Sequence, residues 1–113
     1  MDTKAVIEHH LDALQAGDAE RTLSDYTDDS VILTSSEVHR GLAALRPLFA
    51  GACESLFKPG AHTFTLTSLV VDGPYGLIEW TLSFEGGEIT FGTDTFHVVD
   101  GKIVFQTGAV VFG

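Results

Sequence analysis

Residues 75–112 read YGLIEWTLSFEGGEITFGTDTFHVVDGKIVFQTGAVVF, in which alternating apolar and polar residues are interrupted by two turn signals. Gly86-Gly87 and Asp100-Gly101 are typical of the tight turns that join antiparallel strands. With the run before Gly73-Pro74, the pattern predicts an antiparallel meander of four strands: His62–Asp72, Tyr75–Glu85, Glu88–Val99 and Lys102–Phe112. Strands of this length twist and coil, so we expect a curved sheet.

The residues before the meander follow a helical period. Predicted in chain order are a helix over Thr3–Ala16, a short helix capped by Asp18 that carries Tyr26 inward, a strand over Ser30–Thr34, a polar connection over Ser35–Arg40 and a third helix over Gly41–Phe57. Helices followed by strands indicate the α+β class. We therefore expect one domain over residues 1–113, a cone-shaped fold with three N-terminal helices packed on a strongly curved mixed or antiparallel sheet.

Composition narrows the classes of partner. The formal net charge is −10, with only six Lys and Arg residues, which disfavours nucleic acid and anionic membranes. The single cysteine, Cys53, has no partner for an internal disulfide, and the five histidines lack ligand spacing, so we expect no metal and no cofactor. Without a signal-peptide pattern or a long apolar run, we expect a cytoplasmic protein.

Alternation along the strands separates two faces of the sheet. One face carries mostly apolar residues and should line the cone, with Asp94 and Gln106 as polar exceptions. The other face is also partly apolar, through Phe91, Val99, Ile103 and Phe105. Exposed apolar surface of this kind predicts a partner, and we expect a homodimer formed through the outer face of the sheet.

Three segments resemble the nuclear transport factor 2-like superfamily, in its SnoaL-like and ketosteroid-isomerase-like branch. They are AVIEHHLDALQAGDAERTLSDYTDDSVIL from Ala5, HRGLAALRPLF from His39 and DTFHVVDGKIVFQ from Asp94. The resemblance implies the cone fold with an interior pocket, and it is compatible with isomerases, cyclases, hydrolases, dehydratases and binders.

The resemblance also implies candidate catalytic positions. Steroid isomerases of this superfamily use a helix tyrosine, a strand aspartate and an aspartate base, which correspond to His10, Asp94 and Thr34 here. Polyketide cyclases of the SnoaL type use an aspartate in this part of the sheet as acid/base, a role that Asp94 fits better.

Asp94 and His10 are the candidate catalytic residues. Asp94 lies on an otherwise apolar strand face, where desolvation should raise its pKa and favour the neutral acid. His10 lies on the inward face of the first helix and could hydrogen-bond Asp94 as its acid/base partner. The alternatives are a structural aspartate and a core histidine. His9 is expected to be exposed and uninformative.

The remaining pocket candidates are substrate-binding residues that would orient a ligand or form the wall: Tyr26, Thr34, Trp80, Leu82, Phe84, Phe96 and Gln106. The leading hypothesis is a cofactor-independent enzyme that transfers protons on an apolar carbonyl compound, as an isomerase, cyclase or dehydratase does. Two alternatives stay open, namely a non-catalytic binder of a small ligand and a dimerisation module whose cone is filled.

Overall fold

A computed structural model describes residues 1–113. Three helices come from the first half of the chain: α1 (Thr3–Gln15), α2 (Ala19–Leu23) and α3 (Leu42–Ser55). Asp2 and Asp18 cap α1 and α2, since their side chains accept hydrogen bonds from the backbone of the first turn. Helix α3 contains Pro47 in its interior and runs through it without interruption.

Six strands form one mixed sheet: β1 (Tyr26–Leu33), β2 (Val38–Arg40), β3 (His62–Asp72), β4 (Tyr75–Phe84), β5 (Gly87–Val99) and β6 (Lys102–Phe112). Their order is β2-β1-β6-β5-β4-β3, and only the β1–β6 pair is parallel. The turn at Asp100-Gly101 has positive φ angles of 51° and 76°, as its hairpin signal predicted. The sheet is curved and not closed, which confirms the predicted cone-type α+β fold.

The first strand begins earlier than the sequence indicated. Tyr26 is the first residue of β1 and not part of the second helix, because it pairs with Ile103 of β6. The Ile103 amide also donates to the Asp25 carbonyl at 2.8 Å. An irregularity between Tyr26 and Val31 then accommodates Asp28-Asp29. The polar connection after β1 also contains the short strand β2.

A bulge corrects the predicted face of one residue. The pairing shifts between His97 and Val98, so Ile103 and Gln106 both point into the core although they are three residues apart. Ile103 is therefore buried and does not belong to the outer face, whereas Phe105 stays exposed there. The core lies between the helices and the inner face of the sheet, where α1 contributes Val6 and Ile7.

Candidate functional site

A cavity of about 280 Å³ lies between helices α1 and α3 and the inner face of the sheet. Twenty residues line it, and fourteen of these are hydrophobic. The polar side chains of its deep part are His10, Asp94 and Gln106, while the exposed Thr34 and Ser35 stand at its rim. An apolar cavity with a few convergent polar groups is the usual form of a small-molecule site.

Asp94 is held on the floor of this cavity by two side chains. The indole Nε1–H of Trp80 donates to Oδ2 of Asp94 at 2.8 Å, and the Gln106 amide donates to Oδ1 at 3.4 Å. Both carboxyl oxygens thus accept a hydrogen bond, an arrangement that stabilises the ionised form.

Two glycines make room for this arrangement. Gly92 pairs with Trp80 across β4 and β5, and a Cβ at residue 92 would lie 2.4 Å from the indole. Gly108 pairs with Asp94 across β5 and β6, and a Cβ there would lie 2.8 Å from the carboxyl oxygen Oδ1. The indole therefore crosses over bare backbone to reach Asp94.

A second set of hydrogen bonds connects His10 to the same floor. The Tyr26 hydroxyl donates to Oε1 of Gln106, and it also lies 3.4 Å from Nδ1 of His10. His10 and Asp94 are therefore linked through Tyr26 and Gln106, and the expected direct hydrogen bond between them is absent. His10 is 2% exposed and packs edge-on against Tyr26, Phe49 and Phe96.

Burial sets the protonation of these groups. It lowers the pKa of His10 to about 3, with a smaller contribution from His9, so the imidazole is neutral at physiological pH. It raises the pKa of Asp94 to about 6, against the opposing hydrogen bonds from Trp80 and Gln106. The shift has the expected direction, but Asp94 is mostly a carboxylate at neutral pH and not the neutral acid. Burial, aided by Asp94 and Asp25, holds the pKa of Tyr26 well above its usual value.

The predicted pocket residues fall into two groups. Those that line the cavity are His10, Thr34, Trp80, Asp94 and Gln106. The other four, Tyr26, Leu82, Phe84 and Phe96, do not line it. Tyr26, Leu82 and Phe96 are buried in the core behind the wall, and Phe84 packs against the core from a partly buried position. Tyr26 can act on a ligand only through Gln106 and His10.

The sequence-based prediction of the site missed the α3 wall and one polar cluster. Leu48, Phe49 and Ala52 of α3 and its C-cap residue Leu56 line the cavity, and their helical spacing was the signal that could have assigned them. His9 is not an uninformative surface residue, because its Nδ1 lies 2.8 Å from Oδ2 of the buried Asp25.

The architecture and the pocket define a class of small α+β proteins with a ligand cavity between helices and a curved sheet. The model of the SnoaL-like domain family matches residues 7–106, so the chain belongs to this family. Its predicted resemblance is thereby confirmed. No curated protein matches the sequence.

Three solved structures share the fold. A ketosteroid isomerase-like protein from Kribbella flavida is 22% identical, with a TM-score of 0.79 over 96% of this chain and 77% of that one. An LEH-like epoxide hydrolase from M. tuberculosis is 21% identical, with a TM-score of 0.76 over 95% and 80%. A polyketide cyclase-like protein from Sinorhizobium meliloti is 20% identical, with a TM-score of 0.75 over 92% and 93%. At these identities the similarity establishes the fold alone.

None of the helices has the length and apolar character required to cross a membrane. No group of three or more His, Cys, Asp or Glu side chains is arranged to hold a metal ion.

Proposed function

We propose that this protein binds a small, largely apolar carbonyl compound in its cavity and transfers a proton on it without a cofactor. The observation that carries the proposal is the Asp94 carboxyl, which faces an apolar cavity and has a pKa of about 6. A general base is most effective when its pKa lies near the working pH, because it is then ionised and still basic. The isomerase-like and cyclase-like structures of the same fold are consistent with this chemistry.

In the proposed step, the Asp94 carboxylate removes a proton from the carbon next to the carbonyl group. The C–H bond breaks, its electron pair passes into the carbonyl system, and the proton resides on Asp94. The neutral Asp94 then returns the proton to the substrate at the same or another atom, so nothing is consumed. Hydroxyls of Thr34 and Ser35 at the rim are available to donate to the carbonyl oxygen.

Hydrogen–deuterium exchange of an enolisable ketone tests the proposal without knowledge of the natural substrate. β-Tetralone in D₂O, followed by NMR, should exchange faster in the presence of the protein than in buffer. The added rate should rise with pH through about 6, as Asp94 ionises. Asp94→Asn should reduce this added rate by about a hundredfold or more, the usual contribution of a general base.

Asp12→Asn is the matched control, because Asp12 is an exposed carboxylate on α1. It should leave the exchange rate unchanged. Equal exchange rates in the wild type and in Asp94→Asn would exclude Asp94 as the base.

A non-catalytic binder is the second candidate, and one observation favours it. The Trp80 N–H and one Gln106 N–H are engaged by Asp94, and the Tyr26 O–H is engaged by Gln106. The floor therefore offers little to stabilise an oxyanion. Binding of β-tetralone without any added exchange would support this alternative.

We further propose that a second copy of the chain covers the outer face of the sheet. Exposed apolar side chains of β3 to β6 form the outer patch: Val70, Tyr75, Leu77, Phe91, Val99, Phe105 and Val111. Patches of this kind mark interaction sites. Sedimentation equilibrium should give a dimer for the wild type and a monomer for Leu77→Lys, and a wild-type monomer at all concentrations would contradict the proposal.

A further inference from the structure

The hydrogen bonds on the cavity floor determine which polar atoms there are donors and which are acceptors. Oε1 of Gln106 can only accept, so the single hydroxyl hydrogen of Tyr26 must point to it. The contact of 3.4 Å between Tyr26 and Nδ1 of His10 can then be a hydrogen bond only if Nδ1 carries the proton. A neutral imidazole has one N–H, so Nε2 of His10 is an acceptor.

Nε2 of His10 faces the cavity. This atom has no hydrogen-bond partner in the protein, yet no fully buried side-chain nitrogen or oxygen lacks one. The small exposed area of His10 must therefore include Nε2, and His10 is a lining residue of the cavity. The first helix thus presents a lone pair, and not an N–H, to whatever occupies the site.

The Asp94 carboxyl also faces this space. With its two oxygens accepting from Trp80 and Gln106, it is held as an anion whose remaining lone pairs can accept further hydrogen bonds. No Lys or Arg lines the cavity, so nothing there balances a second negative charge. One amide hydrogen of Gln106 is the only side-chain donor left on the floor.

We propose that the ligand of this cavity is uncharged or cationic and inserts either a hydroxyl group, which donates its one hydrogen bond to Nε2 of His10, or an amine, which can donate to both Nε2 of His10 and Asp94. Carboxylates are rejected, because they would place an unpaired negative charge beside Asp94 in an apolar cavity. This inference rests on the proposed small-molecule function of the same cavity. It restricts the substrate class to compounds with a donor at their buried end, such as hydroxy or amino carbonyl compounds.

A series of probes with one ring system tests the inference. Naphthylmethylamine, naphthylmethanol, its methyl ether and naphthoate share the same apolar part and differ in the polar group. Titration calorimetry at about pH 8, where Asp94 is ionised, should rank the amine and the alcohol above the ether by about tenfold, the effect of one hydrogen bond in a buried site. Naphthoate should bind most weakly.

Two variants identify the acceptors. His10→Phe should remove most of the advantage of the alcohol over the ether, because it deletes the Nε2 lone pair and keeps an aromatic ring. Asp94→Asn should reduce the penalty on naphthoate and the preference for the amine, while Asp12→Asn should leave the ranking unchanged.

The wild-type ranking alone decides the inference. Equal affinities across the series, a preference for naphthoate, or no binding of any probe at millimolar concentration would each overturn it. The exchange experiment with β-tetralone is independent of this ranking. If the ranking is observed and no exchange occurs, the proposed proton transfer is wrong and the inference of a donor-bearing ligand is supported. If exchange depends on Asp94 and the ranking is not observed, proton transfer is supported and the inference about the ligand is wrong.

Discussion

His9 and His10 are neighbours on α1, yet they lie in opposite environments. His10 points into the apolar core, is 2% exposed and remains neutral because burial lowers its pKa to about 3. His9 points away from the core, with its side chain 28% exposed, and pairs at 2.8 Å with Asp25, whose side chain is 4% exposed. One histidine belongs to the cavity and the other to a polar cluster between α1, α2 and β1.

The two carboxyls that accompany these histidines differ in the same way. Burial raises the pKa of both Asp94 and Asp25. The raised pKa of Asp25 is opposed by a hydrogen bond and a charge interaction with His9 and by the positive charges of Lys102 and Arg21, whereas the raised pKa of Asp94 is opposed only by neutral donors. A carboxyl without a cationic partner in an apolar cavity costs free energy, which is a common property of functional sites. The cluster at His9 has its charges compensated and is a structural feature.

Among the substitutions that test this comparison, His10→Phe should have the largest effect on the free energy of unfolding. The folded state resists protonation of His10, since its pKa is about 3 there against 6.5 ordinarily. The free energy of unfolding therefore falls as the pH drops below 6.5, and by pH 4 the loss amounts to about 3 kcal/mol. His10→Phe should lack this loss, as measured by urea unfolding at several pH values.

His39→Phe is the control for that measurement, because His39 lies on the short strand β2 outside the core. It should keep the wild-type acid slope. An unchanged slope in His10→Phe would mean that folding does not lower the pKa of His10.

Asp94 should contribute a pH dependence of the opposite sign to that of His10, and Asp94→Asn should remove it. The folded state binds the Asp94 proton more tightly, with a pKa of about 6 against 3.8, so the free energy of unfolding falls as the pH rises between these values. The full difference corresponds to at most about 3 kcal/mol. Above pH 6 the variant should be more stable than the wild type by up to this amount. The gain is reduced where the new amide N–H group lies opposite the N–H group of Gln106.

The only tryptophan, Trp80, reports this titration directly. Its fluorescence should change with a midpoint near pH 6 in the wild type and stay constant through that range in Asp94→Asn, because its N–H donates to the Asp94 carboxyl. If the unfolding free energy of the wild type falls as the pH rises toward 6 but its fluorescence shows no midpoint there, a group other than Asp94 titrates.

Gly92→Ala should disturb the floor without changing any titratable group. The added methyl would lie 2.4 Å from the Trp80 indole, so the ring must move and its hydrogen bond to Asp94 must weaken. Overpacking of this kind costs about 1–3 kcal/mol of unfolding free energy. Chemical unfolding and the Trp80 fluorescence titration should both change. Gly51→Ala on α3, where a Cβ meets nothing within 4 Å, should leave the Trp80 titration unchanged and should raise the unfolding free energy, because Ala favours a helix over Gly by about 0.5–1 kcal/mol.

The sequence predicted the architecture well because its signals were local. Alternation and the Asp100-Gly101 turn set the long strands, and β3 and β6 have the predicted bounds. The bulge that moves Ile103 inward could not be predicted from the sequence, since it depends on how β5 and β6 are paired. The start of β1 at Tyr26 likewise depends on a partner strand some eighty residues away.

The polar site was predictable only in part, for a related reason. Alternation placed Asp94 and Gln106 on the inner face, and helical spacing placed His10 there. The connection of His10 to Asp94 through Tyr26 and Gln106 joins three separate elements, so no spacing in the sequence encodes it. The same holds for His9, whose partner Asp25 precedes a strand on the other side of α2.

His9→Ala should give the smallest effect and completes the comparison. It removes the hydrogen bond that opposes the raised pKa of Asp25, so that pKa should rise further. The variant should lose about 1 kcal/mol of unfolding free energy at pH values where Asp25 is ionised, and the penalty should shrink as the pH falls and Asp25 is protonated. The exchange activity on β-tetralone and the Trp80 titration should not change, because the hydrogen bonds of His9 and Asp25 do not reach Trp80, Asp94 or Gln106. A loss of exchange activity in His9→Ala would join the two regions into one site and contradict the division drawn between the neighbouring histidines.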